Sequence, residues 1–422
     1  MKKINLEDLQ IGMYVCQLDR SWLETPFLLE GVWLRSQSDI DEIKRHCEYV
    51  YIDTEIKDGA SVERSGGSAW KPNADIVVDP GIIKPDEGIL LPGNGSVDQP
   101  RARFKIKFEE EFGPAKEIHN KATEVVHNMY EDVRLGRSID TAGAKDMVKD
   151  MVGSIVRNPD AQVWLTHLKN KDDYTATHSL NVCIFSLAFG RHLGLSDEEL
   201  NELGIGALLH DLGKIRVPIE ILNKPEKLTA QEFALMKKHP VFGGNILENT
   251  KGLTPSIIDI ALSHHERTNG SGYPRGLLAK DISLYGKMVA IVDIYDAITS
   301  QRVYHHGTHS IDAMTQLYQL ASAHLDNGLV DQFIQCLGIY PIGSIVELYS
   351  GEVGIVVSQH STQRLKPKVM VILDKDKQRY SKSSIIDLAE ADGMSVNDII
   401  RVAQADEFDI DIRNYIKDGS LG

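Results

Sequence analysis

The feature that most constrains this chain is an ordered set of five histidines and two aspartates. They are His178, the adjacent pair His210-Asp211, His239, the adjacent pair His264-His265, and Asp293. Successive positions lie 25 to 32 residues apart, about one helix and one connection each. A helical bundle can gather such a set round two metal ions. Imidazole and carboxylate hold borderline and hard divalent metals, and no cysteine joins the set. That donor mixture suits a hydrolytic centre for oxygen-rich substrates better than a structural zinc cage.

Taken singly, the members are ambiguous. His178 precedes the apolar run Ser179 to Leu193, where a lone histidine is more often a satisfied core residue. Asp293 stands amid Met288 to Ile294, and an unpaired buried carboxylate is costly, so it needs a cation or several donors. Asp296 follows three residues later on the same helix face, as an acid supporting a ligand or as an ordinary surface acid. Lys214, three residues after Asp211, can return to the same side of a helix end and meet a phosphate oxygen; a surface lysine is the alternative. His305, His306 and His309 cluster without a motif and read as an exposed loop.

A chain of 422 residues calls for two or three domains. No apolar stretch is long enough to span a membrane, and the N-terminus lacks the apolar core of a secretory signal. Cys16, Cys47, Cys183 and Cys336 lie far apart with no CxxC, the pattern of reduced thiols in a cytoplasmic protein. A formal net charge of −15 argues against a DNA or RNA partner, yet allows a small anionic substrate drawn by metals and a few local cations.

Along the chain, residues 1–56 read as a small α+β domain, with apolar runs punctuated by Gly12, Pro26 and Gly31 and one helix over Ser38 to Cys47. Residues 57–100, rich in Gly, Ser, Pro and Asp, read as a flexible linker. Helices near 106–132 and 138–157 make residues 101–157 a helical connection into a catalytic domain over 158–340. Within it, Thr229 with Glu232 predicts a capping box, Thr254-Pro255 a helix start, and Leu284 to Thr299 an apolar helix. Residues 341–422 read as a β-rich segment: a hairpin of Ile345 to Tyr349 and Val353 to Val357, a strand over Lys368 to Leu373, then a helix near Val396–Ala405 and an acidic tail. The fold class is therefore mainly α, with a small domain before the bundle and a small β segment after it.

The text around these residues resembles the HD-GYP phosphodiesterases. The resemblance rests on His210-Asp211 before Leu212-Gly213-Lys214, and on His264-His265-Glu266 before Gly272-Tyr273-Pro274. Tyr174-Thr175, Lys237 to Pro240 and Asp293 to Thr299 agree, and the likeness covers roughly residues 145 to 340. It implies an HD-type helical bundle in which Asp211 bridges two metals. His178, His210 and Asp293 would complete one, and His239, His264 and His265 the other. With Asp211 and Lys214 as the catalytic pair, the chain's own chemistry adds Lys214, Arg275 and Arg302 as phosphate contacts and Tyr273, held in a loop of tight turns, beside a guanine or ribose. The two divalent metals would be iron or manganese first, with zinc, cobalt or nickel as alternatives.

The implied reaction opens cyclic di-GMP to pGpG, with further cleavage to GMP left open. Cyclic GMP-AMP as the preferred substrate, and a weakly catalytic sensor or interaction module, stay open beside it. The segment before the bundle resembles the accessory domain often found there, which could serve a homodimer or a signalling partner. Asn269, Val303 and His305 stand where the family commonly has Asp, Pro and a basic residue, which bears on substrate grip. Tyr174 replaces the glutamate that supports a third metal in some members, so two metals are expected.

Overall fold

Alternation decides the first element set. In Tyr49-Val50-Tyr51-Ile52 every second side chain is buried, the signature of a strand with one face on a core. The computed structural model describes residues 2–11, 13–18, 32–34, 37–47, 49–53, 105–168, 174–224, 226–300, 310–360, 363, 365–390, 398–404 and 406–417. The stretch read as a linker, together with Arg302, Val303, His305, His306 and His309, lies outside the described residues. The chain divides into two units, Met1–Val97 and Asp98–Gly422.

The first unit holds β1 (Lys2–Asn5), β2 (Tyr14–Leu18), β3 (Val32–Trp33), α1 (Gln37–His46) and β4 (Tyr49–Asp53), in a sheet of order β1-β4-β2-β3. Ile4, Val15, Val50 and Ile52 pack with Ile40 and Ile43 of α1 in one core. The α+β reading of this segment holds, and the helix expected over Ser38 to Cys47 is α1.

The second unit begins with a run of helices: α2 (Phe108–Arg134), α3 (Thr141–Arg157), α4 (Pro159–Leu165), α5 (Tyr174–His192), α6 (Asp197–Leu209), α7 (Ile219–Leu222) and α8 (Ala230–Met236). It continues with α9 (His239–Glu248), α10 (Pro255–Ser263), α11 (Leu284–Thr299), α12 (Ser310–His324) and α13 (Asn327–Leu337). Helix α5 is apolar nearly all round because it is central: Val182, Ile184, Leu187 and Phe189 are fully buried. Capping boxes start α6 at Ser196 with Glu199 and α8 at Thr229 with Glu232. Thr254 is the N-cap of α10 as expected, without a side-chain capping bond. Pro255 sets the first turn, while the Thr254 hydroxyl is buried without a hydrogen-bond partner. No helix among the described residues is long and apolar enough to cross a membrane.

After the bundle come β5 (Ile345–Leu348), β6 (Val353–Ser358), β7 (Lys368–Leu373), β8 (Arg379–Asp387), β9 (Ile399–Ala403) and α14 (Ile412–Lys417). The strands form an antiparallel sheet of order β8-β7-β6-β5-β9. The expected hairpin and third strand are β5, β6 and β7. The expected helix near Val396–Ala405 is wrong where the structure describes it: Ile399–Ala403 is a strand paired with β5. Its β-branched Ile399, Ile400 and Val402 fit a pleated edge better than a helix turn. Asp160 of α4 ties the sheet to the bundle by accepting the Ser358 hydroxyl at 2.7 Å and the Gln359 N–H at 2.8 Å.

Candidate metal centre

Each candidate ligand is delivered by an element end or a buried helix face. His210 is the C-cap of α6 and Asp211 follows it, leading into a 3₁₀ turn over Leu212–Arg216. His239 opens α9, His264 is the C-cap of α10 with His265 next, His178 lies in α5, and Asp293 lies in α11. Glycine permits the closest approach. A Cβ on Gly213 would lie 1.9 Å from the His239 carbonyl oxygen, so the 3₁₀ turn and α9 meet backbone to backbone.

The structure brings all seven residues together. One oxygen of Asp211, Oδ1, lies 3.3 Å from His239 Nε2 and 3.7 Å from His264 Nε2. The other, Oδ2, lies 3.4 Å from His210 Nε2 and 3.5 Å from His178 Nε2. Asp293 places Oδ1 3.1 Å from His178 Nε2 and Oδ2 4.0 Å from His265 Nδ1. The donors fall into two groups able to hold an ion, Asp211 with His239, His264 and His265, and Asp211 with His178 and His210. Asp211 is common to both.

Hydrogen bonds on the far side of the rings decide what faces inward. Carbonyl oxygens can only accept, so Nδ1–H of His210 donates to Ala207 (2.7 Å), that of His239 to Met236 (2.8 Å), and that of His264 to Ala261 (2.9 Å). With Nδ1 protonated, the neutral tautomer turns an Nε2 lone pair towards Asp211. Two such atoms, on His239 and His264, face each other at 3.2 Å. His210 Nε2 and Asp211 Oδ1 are buried without a hydrogen-bond partner. Converging lone pairs and a buried carboxylate oxygen are the environment of a divalent cation, so the residues fit one.

The charges agree. Burial opposes ionisation of Asp211, but the Lys214 ammonium leads the contacts that outweigh it and hold the carboxyl well below its ordinary range. Asp293 is likewise held low against burial by its contact with His178. Burial, then neighbouring imidazoles, pushes His264 and His265 well below the ordinary histidine value, which keeps them neutral. His178 goes the other way: burial is overcome by Asp293 and Asp296. Asp296 is thus a buried acid behind His178 rather than a surface acid. It accepts from His178 Nδ1 at 2.7 Å and is steadied by Asn181 (3.0 Å) and Ser300 (3.0 Å).

Lys214 reaches the centre, its Nζ 2.5 Å from Asp211 Oδ2. Tyr273 forms part of the wall, its ring 4.7 Å from that of His265. Gly272 permits this, since a Cβ there would meet the Glu266 and Arg267 backbone at 2.5 and 2.3 Å. The buried Glu266 carboxylate pins the loop by accepting the N–H groups of Arg275 (2.7 Å) and Leu277 (2.9 Å). Among the described residues the Arg275 guanidinium donates to Asp259 at 3.1 Å and Ser263 at 2.7 Å, both on α10.

Two cations were given no role in the sequence reading, although Lys237 stands in one of its matching runs. Lys237 Nζ lies 4.4 Å from the centre of the Phe233 ring and 5.4 Å from that of Tyr273. The Phe233/Lys237 spacing of one helix turn was the available signal. Arg267 donates to the Glu266 carbonyl at 2.9 Å, and burial lowers its pKa beside Tyr273 and Asp293.

A helical bundle whose imidazoles converge on a shared aspartate next to a histidine defines an HD-type metal-dependent phosphohydrolase. The comparisons agree. A family described as an HD domain matches residues 164–329, a domain of unknown function (DUF3391) matches 1–144, and a KOW domain associated with the HD domain matches 345–408. A cyclic di-GMP phosphodiesterase of Pseudomonas aeruginosa is 35% identical over 93% of this chain and 90% of its own. The cyclic di-GMP phosphodiesterase response regulator RpfG of Xanthomonas campestris is 40% identical over 34% of this chain and 38% of its own. A 3′3′-cGAMP-specific phosphodiesterase of Vibrio cholerae is 33% identical over 38% of this chain and 31% of its own. The chain belongs to the family of HD-domain cyclic di-GMP phosphodiesterases.

Proposed function

We propose that this protein hydrolyses cyclic di-GMP to pGpG, and onward to GMP, at a centre of two divalent metals in the cytoplasm. The observation that carries the reading is Asp211, whose two oxygens face two different pairs of imidazole Nε2 atoms. His178, His210 and Asp293 would hold one ion, His239, His264 and His265 the other, with Asp211 shared. The chemistry two such ions supply is acidification of water and neutralisation of phosphoryl charge.

The chain's own residues orient and hold charge. Backbone carbonyls and Asp296 fix the imidazoles, so the site needs little rearrangement when substrate arrives. Water adds to phosphorus as the bond to the 3′ oxygen breaks, and Lys214 stands beside Asp211 to steady the charge that develops. Tyr273 offers a ring face to a base or ribose, and Lys237 behind it adds a cation. Arg302 remains a candidate for a second phosphate contact.

Metal analysis of protein purified without chelators, coupled to product identification on cyclic di-GMP and cyclic GMP-AMP, tests this reading. Two ions per chain, iron or manganese, with pGpG formed from cyclic di-GMP, is the expected result. Faster opening of cyclic GMP-AMP would favour the reading raised by the Vibrio cholerae relative. Binding of either nucleotide without turnover in metal-loaded protein would make the domain a sensor.

A further inference from the structure

A second cleft lies away from the ligands, between the turn joining α2 to α3 and the outer face of α9. Its volume is about 1020 Å³, ample for a nucleotide. Its charge is anomalous. The sequence has 61 acidic and 46 basic residues, yet Arg137, Arg216 and Lys251 all line this cleft and, among the described residues, no aspartate or glutamate does. Arg137 is balanced by Asp132 at 3.1 Å, an acid outside the cleft lining. Arg216 and Lys251 make no ion pair among the described residues. Two uncompensated cations and a third at one concave surface create a local field for an anion in an otherwise acidic molecule.

The remaining lining is amphipathic. Phe242, half-buried, presents an aromatic face, while Asn245 supplies an amide. The far end is built rather than incidental: the Thr141 hydroxyl donates to the Lys251 carbonyl at 3.2 Å, and Lys145 to the Gly252 carbonyl at 2.5 Å. We propose that this cleft is a second binding site, for a phosphate-bearing nucleotide. Guanidinium and ammonium groups would take the phosphate, and Phe242 the base.

The site has a route to the metal centre. Arg216 ends the 3₁₀ turn that follows Asp211, and Phe242 lies one turn into the helix that His239 opens. These two elements meet at Gly213. A ligand spanning Arg216 and Phe242 therefore bears on the elements presenting Asp211, Lys214 and His239, so it would tune turnover. This regulatory consequence rests on the catalytic reading above; the binding does not.

Calorimetric titration of the metal-loaded full chain with GMP, and separately with inorganic pyrophosphate, tests the proposal. Native protein should show one more GMP site per chain than the R216E/K251E variant. Both residues are exposed, so the melting temperature should hold. F242A should weaken GMP at that site about tenfold while leaving pyrophosphate unchanged. Equal GMP stoichiometry in native protein and R216E/K251E would overturn the site. Equal binding of GMP and pyrophosphate, unmoved by F242A, would overturn its nucleotide character. Loss of cyclic di-GMP hydrolysis with the cleft titration intact would count against the catalytic reading alone.

Discussion

Asp211 offers each carboxylate oxygen to a different pair of imidazoles, a position no other side chain in the cluster shares. Asp211→Ala should therefore drop the metal content from two ions to at most one and cut hydrolysis by orders of magnitude. Helical circular dichroism should be unchanged; two retained ions with full activity would sink the bridge. Asp296 acts one step back, since it accepts from His178 Nδ1. Asn at 296 keeps one accepting oxygen and turns an amide N–H₂ towards the groups that now donate. About a 10- to 100-fold loss of metal affinity is expected, read by chelator competition, with the fold intact. Unchanged affinity would make Asp296 a packing residue. The first-rank residues were legible because His-Asp and His-His adjacency, in order and at helix spacing, is uncommon. The pairing of Arg275 with Asp259 and Ser263 was not legible, because both lie on α10 and no local pattern announces them. Asp296 stayed undecided for the same reason: its partner is 118 residues away.

Between elements, the contact that sets the centre is that of the 3₁₀ turn with α9. Gly213→Ala puts a methyl group 1.9 Å from the His239 carbonyl oxygen and 2.4 Å from the Gly243 nitrogen, both backbone atoms that cannot swing aside. The turn and α9 must separate, carrying Asp211 away from His239. Stability should fall by about 1–3 kcal/mol, as for overpacked cores. Metal content should fall with it, measured by urea unfolding and elemental analysis on the same preparation. An unaltered metal count would mean the two elements are not held by this contact. At this scale the helices with strong local signals were legible, α11 and the capped start of α8 among them. Strand β9 was not. Four apolar residues in five fit a helix or a strand, and what decides is pairing with β5, more than fifty residues earlier.

For the whole molecule, the joint between bundle and sheet has a titratable group inside it. Burial pushes the Asp160 carboxyl from 3.8 up to about 6, against the Gln359 N–H and Ser358 hydroxyl that favour its charged form. Between those values the folded chain binds more protons than the unfolded one. Stability contributed by this group therefore falls as pH rises from about 4 to about 6, by about 3 kcal/mol, and is level above. Asp160→Asn cannot ionise, so its urea midpoint should lose that slope relative to the native chain; parallel curves from pH 4 to 7 would refute the assignment. The family match over 1–144 invites a cut at residue 145, but the structure argues for one at 98. Helix α2 belongs to the catalytic unit: Ala122, Val126 and Met129 are buried, Tyr130 bonds Ser179 of α5 at 2.8 Å, and Glu111 takes the Arg157 guanidinium. Residues 98–422 should fold, hold two ions and turn over cyclic di-GMP. Residues 145–422 should expose the α2 seat on α3 and α5, and aggregate or melt far earlier on size exclusion and thermal scans. Equal behaviour of the two fragments would remove α2 from the catalytic unit. A folded, metal-loaded but inactive 98–422 would show instead that the first unit completes the site.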